Sequence, residues 1–96
     1  MSSNTLNLLG LAYKASKIVI GFDDVLLKIK KIKLIFISNE LSINSVNKLK
    51  KESEKYNILI MDKFSKEELS HSIGKKNISV IGIIDEGFKK LMIESL

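Results

Sequence analysis

The sequence predicts an α/β/α sandwich, and three observations predict it. Helix-like and strand-like patterns alternate along the whole chain. The strand-like runs are short and continuously apolar, as in strands covered on both faces of a sheet. No proline, linker, low-complexity tract or internal repeat interrupts the alternation. At 96 residues the chain has the length of one domain, spanning residues 1–96. A chain of that size buries a compact core but has no room for a deep enclosed pocket.

The elements follow in order. Thr5–Ser16 reads as a helix with Leu8, Leu9, Ala12 and Ala15 near one face and Thr5 as N-cap. Ile18-Val19-Ile20 is a β-branched run stopped by Gly21. Asp23–Lys31 carries Val25 and Ile29, with Ile32 just beyond, at amphipathic helical spacing. Leu34–Ile37 is a continuous apolar strand. The third helix has a Ser42 cap and a hydrophobic staple between Leu41 and Val46. Its inner face is expected to run through Ile43, Val46, Leu49, Ser53 and Tyr56, with Asn57 as the stop. Ile58–Met61 reads as a third buried strand. Ser65 with Glu68 forms a capping box and Phe64 with Leu69 a staple, opening a short helix that ends at Gly74. Ile78–Ile84 is the fourth strand, with Gly82 allowing a close helix approach. Asp85 caps a last helix presenting Phe88, Leu91, Met92 and Leu96.

Composition narrows the function. There is no cysteine and a single histidine, His71, so disulfides, thiolate metal sites and cysteine catalysis are excluded. No apolar run approaches the roughly 20 residues that span a bilayer. The start, Met1-Ser-Ser-Asn-Thr, lacks the basic segment of a secretory leader, and a soluble chain in the cytoplasm is expected. Net charge is +5 and unevenly placed: residues 1–51 carry nine lysines against three acids, and residues 52–96 seven lysines against eight. A one-sided positive field suits a polyanion. Every basic residue is lysine, as an AT-rich genome would also produce. The arginine fork that reads guanine edges is therefore absent, and lysine offers a less directional point charge.

Catalytic motifs fail on content. Gly74-Lys75 lacks the earlier glycine and the hydroxyl residue of a phosphate-binding P-loop, and no G-x-G-x-x-G follows a strand. His71 falls toward the solvent side of its helix with nothing converging on it. The acid pairs Asp23-Asp24, Glu67-Glu68 and Asp85-Glu86 each lie at a helix start, where the macrodipole favours negative charge. No catalytic residue, cofactor, metal or small-molecule substrate is expected.

Two stretches carry a resemblance. One is Leu8-Leu-Gly-Leu-Ala-Tyr-Lys-Ala-Ser-Lys-Ile-Val-Ile-Gly21, followed by Phe22-Asp-Asp-Val-Leu-Leu-Lys28. The other joins Leu69-x-x-Ser-Ile-Gly74-Lys to Ile78-Ser-Val-Ile-Gly-Ile-Ile-Asp-Glu-Gly-Phe88. Together they resemble the bacterial YlxQ-type branch of the ribosomal-protein superfamily that binds kink-turn RNA, over about residues 6–96. The resemblance implies a mixed four-stranded sheet within the three-layer sandwich. It also implies that the glycine after the first strand lets backbone approach RNA. An Asn-Glu pair and a Lys one turn later would then read guanines.

Here Gly21 matches, Asp23 stands at the Asn position, Asp24 at the Glu position and Leu27 at the Lys position. Asp does not donate as Asn does, and Leu27 makes no cationic contact. Lys28 points about 100° further round, toward phosphate rather than base. Asn39 and Glu40 after the second strand, and Lys75, Lys76 and Asn77 after Gly74, are expected to flank that helix start. Lys14 and Lys17 are expected to bracket the same end, and Phe22 to lie within it. Lys30, Lys31 and Lys33 complement a helix C-terminus and are set aside. The implied partner is structured RNA, ribosomal or other, with the ribosome itself a candidate. The competing reading is a protein–protein interaction module that lost RNA binding. Its sign would be an exposed apolar patch formed by Phe22 with Leu26 or Leu27.

Overall fold

The computed structural model describes residues 4–96; residues 1–3, part of the leader reading, lie outside them. The chain runs α1 (Asn4–Lys14), β1 (Ile18–Ile20), α2 (Phe22–Leu27), β2 (Leu34–Ile37), α3 (Ile43–Lys55), β3 (Leu59–Met61), α4 (Lys66–Ser72), β4 (Val80–Ile83) and α5 (Glu86–Glu94). The four strands form one mixed sheet in the order β1-β4-β2-β3. β4 is antiparallel to both β1 and β2, while β2 and β3 are parallel.

Central strands β2 and β4 are buried throughout, because successive side chains point to opposite faces and both faces are covered. Leu34, Phe36, Ile81 and Ile83 feed one core with Leu9 and Ala12 of α1, Leu69 of α4 and Met92 of α5. Ile35, Ile37 and Val80 feed the other with Val25 of α2, Ile29, Ile32 and Leu49 of α3. Phe36 and Phe64 lie in the first core with ring centroids 6.3 Å apart.

Several signals that involve only neighbouring residues hold. Ser42 accepts from the Ser45 amide, Asp85 from the Phe88 amide, and Ser65 with Glu68 closes the full capping box. Helices α1, α3 and α4 each end through one left-handed residue, respectively Ser16, Asn57 and Gly74. The following amides reach back: Lys17 to the Ala12 carbonyl, Ile58 to Ser53 and Lys75 to Ser70, each at 2.9 Å.

Other expectations are corrected by packing. Thr5 is not an N-cap; it lies buried inside α1, its hydroxyl hydrogen-bonded to that of Ser95. The Asp23–Lys31 helix breaks at Lys28 into α2 and a 3-10 turn, Ile29–Lys31. The tighter turn sets Ile29 and Ile32, three apart, on one side, and both are buried. The buried strand expected over Ile58–Met61 is shorter and less covered: β3 runs Leu59–Met61 at an edge of the sheet, and Leu59 is 47% exposed. Ile43 is 68% exposed, and Tyr56 is also exposed, so the inner face of α3 is Val46, Leu49 and Ser53. Ala15 of the first helical segment and Leu91 and Leu96 of the last likewise face solvent.

Gly82 does what its position suggests. A Cβ there would lie 2.5 Å from Ile32 Cδ1 and 3.3 Å from Val25 Cγ2, so the bare backbone lets α2 and the following turn settle onto β4.

Candidate nucleic-acid interface

Strands β1, β2 and β3 finish at one end of the sheet, and β4 begins there. This loop end is knitted by backbone bonds. The Gly21 amide donates to the Val80 carbonyl (2.9 Å), Ser38 to Ser79 (2.8 Å) and Asn39 to Phe64 (2.9 Å). Gly21 and Asn39-Glu40 are thereby held at the end where β4 begins, and Glu40 shares a cleft with Lys75, Lys76 and Asn77.

Gly21 has φ of 101°, and a Cβ there would meet nothing within 4 Å, so the backbone is open to an approaching ligand. No side chain caps the start of α2, and Asp23 and Asp24 project into solvent. Leu27 is 78% exposed, presenting an apolar side chain one turn after Asp23. Lys28 is exposed at the C-cap of α2.

The 74–77 loop is basic and outward-facing, with Lys75, Lys76 and Asn77 all exposed. Asn77 takes a left-handed conformation, φ 59°, which its short amide side chain tolerates. Lys75 Nζ lies 5.6 Å from the centroid of the Tyr13 ring, tying the loop to α1. Ser70 fixes the return of the loop: its buried hydroxyl donates to the Lys66 carbonyl (2.7 Å) and accepts from the Ile78 amide (2.8 Å). Sequence reasoning missed Ser70, because only its neighbours eight residues on reveal the task. Ser70→Ala is expected to leave the Ile78 amide without its acceptor and destabilise the fold by about 1–3 kcal/mol. Thermal unfolding, together with faster hydrogen exchange at Ile78, checks it.

Between this loop and α4 lies an open cleft of about 500 Å³, lined by residues that include Glu40, Lys66, Ser70, His71, Lys75 and Lys76. His71 is exposed there. Among the described residues no group of three or more His, Cys, Asp and Glu could hold a metal ion, and no helix is long and apolar enough to cross a membrane.

The remaining expected residues are placed differently. Lys17 lies at the opposite end of the sheet: its carbonyl accepts from Ile84, and Ile18 pairs with Ile83 where β4 finishes. Lys17 precedes β1 and Gly21 follows it, so the strand between them holds the two at opposite ends of the sheet. Lys14, three residues earlier, is exposed at the C-terminus of α1 and lines the groove between α1 and α4 with His71 and Gly74. Phe22 is not a free aromatic platform. Its ring packs on the α2/α3 core, under Lys48 Nζ at 5.9 Å from the ring centroid. Glu40 remains exposed, but its Oε2 accepts from the Lys66 amide at 2.8 Å and so completes the start of α4.

The apolar patch expected of a protein-interaction module is not formed by these residues. Phe22 and Leu26 are both packed on the core, leaving Leu27 alone exposed.

Fold and loop end together define a small α/β/α sandwich with a polar, lysine-bearing edge and an uncapped glycine-led helix. The chain belongs to the ribosomal protein L7Ae/L30e/S12e/Gadd45 family, whose model matches residues 3–93. It is 37% identical over 87 residues to the RNA-binding protein YlxQ of Enterococcus faecium, covering 88% of this chain and 84% of that one. It is 33% identical over 91 residues to the RNA-binding protein YlxQ of Bacillus subtilis (strain 168), covering 93% and 91%. A structure of a Bacillus halodurans protein of unknown function superimposes with a TM-score of 0.93 at 27% identity, over 97% of this chain and 96% of that one. The Giardia lamblia 15.5kD RNA binding protein shares the fold, with a TM-score of 0.81 at 20% identity over 93% and 78%.

Proposed function

We propose that this protein is a non-catalytic RNA-binding protein of one domain that docks structured RNA against the loop end of its sheet. The observation that carries the reading is the bond from the Gly21 amide to the Val80 carbonyl, which sets Gly21 at the end of the sheet where the exposed Lys75-Lys76-Asn77 segment leads into β4. The YlxQ proteins, named for RNA binding and alike over most of their length, support it. Gly21, Asp23, Asp24, Lys28, Asn39, Glu40, Lys75, Lys76 and Asn77 make the contact face. Lys14 approaches it along the α1/α4 groove, and Lys17 and the ring of Phe22 drop out.

Recognition rests on phosphate more than on bases. Lysines supply point charges, no arginine is present, and Asp23 and Leu27 replace the donor and the cation that the kink-turn pattern carries. The partner class is structured RNA, ribosomal RNA and the assembled ribosome included, which sets the work in the cytoplasm.

Binding to total RNA or ribosomes should therefore be strong at low salt, and the logarithm of its binding constant should fall linearly with the logarithm of salt concentration. Two to four phosphate contacts give a slope of about −1.5 to −3.5. Filter retention across a salt series measures it. A flat salt response, or no retention at the lowest salt, overturns the reading.

A further inference from the structure

We infer that Lys48 of α3 is a phosphate-contacting residue of the same face, supplying beside α2 the cation that α2 itself lacks at Leu27. The inference rests on the RNA-binding reading above and names a residue and a track that reading leaves out.

The placement is the first argument. Phe22 opens α2 directly after Gly21, and its ring is held by the α2/α3 core rather than free to swing. Lys48 Nζ sits over that ring at 5.9 Å from the centroid. A cation resting on an aromatic face keeps its outward hydrogens for other acceptors, so the ammonium is oriented without being consumed. The ring thus fixes a positive charge beside the uncapped helix start.

Local electrostatics make that charge matter. Asp23 and Asp24 follow Phe22 and face solvent, and two carboxylates repel a phosphate backbone. Leu27, one turn on, adds no compensating charge. Lys48 is free to do so: among the described residues the ion pairs are Lys55–Glu52 and Lys89–Glu86, and neither involves Lys48.

The face of α3 continues the track. Asn44, four residues before Lys48, and Lys51, three after, share its side of the helix, and both are exposed. Lys55 ends the track, because its ammonium is committed to Glu52 Oε2 at 2.9 Å. That hydrogen bond and the carboxylate charge hold the Lys55 ammonium above its ordinary pKa. The RNA backbone is thus placed along the α2/α3 side of the loop end as well as across the 74–77 loop.

The test compares the full chain with Lys48→Gln, Lys48→Arg and, as a control on α5, Lys90→Gln. Each binds total RNA across a salt series, with thermal unfolding recorded alongside. Lys48→Gln should reduce the salt slope by about 0.7–0.9 and weaken binding roughly five- to eight-fold at about 0.1 M salt. Lys48→Arg should restore both, and Lys90→Gln should change neither. If Lys48→Gln leaves the slope unchanged, with or without a lower Tm, the residue only supports the α2/α3 packing and the inference is wrong. In that case the wider reading still stands, provided the wild type binds with a salt-dependent slope. A wild type that does not bind RNA at low salt sinks the RNA reading, and this inference with it.

Discussion

Charge reversal of both loop lysines, Lys75→Glu with Lys76→Glu, is expected to weaken binding to total RNA by about 25- to 60-fold at about 0.1 M salt, before any added repulsion. The estimate takes one phosphate contact from each lysine, so the salt slope should also shrink by about 1.4–1.8. The protein should stay folded. Both side chains are exposed, and substitutions of that kind usually shift stability by no more than about 0.5 kcal/mol. The exception is the Lys75 contact with the Tyr13 ring, whose loss adds about 0.5–1 kcal/mol. Measuring affinity and unfolding on the same samples separates the two effects. Unchanged affinity would remove the 74–77 loop from the interface and leave Gly21 without its basic neighbour.

The second large effect concerns the layer beneath the site. Gly82→Ala puts a Cβ at 2.5 Å from Ile32 Cδ1 and 3.3 Å from Val25 Cγ2, in a place where every neighbour is buried. Two tendencies oppose each other. Replacing glycine within a strand by alanine gains roughly 0.5–1 kcal/mol from the unfolded chain, while overpacking a closed core costs about 1–3 kcal/mol. The distance decides for the second, because 2.5 Å cannot be met without moving Ile32. A net loss of about 1–2 kcal/mol lowers Tm by roughly 4–16 °C for a chain of this size. Ile32→Val deletes the offending Cδ1 and alone costs about 0.5–1.5 kcal/mol. The double variant should therefore be more stable than the two single losses predict, by more than about 0.5 kcal/mol. Simple additivity in urea or thermal unfolding would mean that Gly82 does not govern this contact. Because Val25 belongs to α2, the displacement also reaches the helix that Gly21 opens, so Gly82→Ala should weaken RNA binding without touching the interface.

These two variants probe different kinds of information. Lys75 and Lys76 are legible as a basic pair following Gly74, the αL stop of α4, and the structure leaves both exposed in the loop after that helix. Gly82 is legible only as a glycine inside an apolar strand. That it faces Ile32, fifty residues earlier, comes from the antiparallel pairing of β4 with β2.

What the sequence determined by itself is a set of features governed by contacts within about one helical turn. The order of elements, the Ser42 and Asp85 caps, the Ser65–Glu68 box and the left-handed stops at Asn57 and Gly74 belong here. In each, donor and acceptor are near neighbours in the chain, and the residue type alone carries the geometry.

What only the tertiary structure decided is which distant segments share an end of the sheet. The order β1-β4-β2-β3 leaves Leu59 on an edge and gives Glu40 the Lys66 amide. It also buries Thr5 against Ser95, across ninety residues, and seats Lys48 over Phe22. Strand pairing and core packing choose among many alternatives of similar local energy. Their outcome depends on summed burial over the whole chain rather than on any short pattern in it.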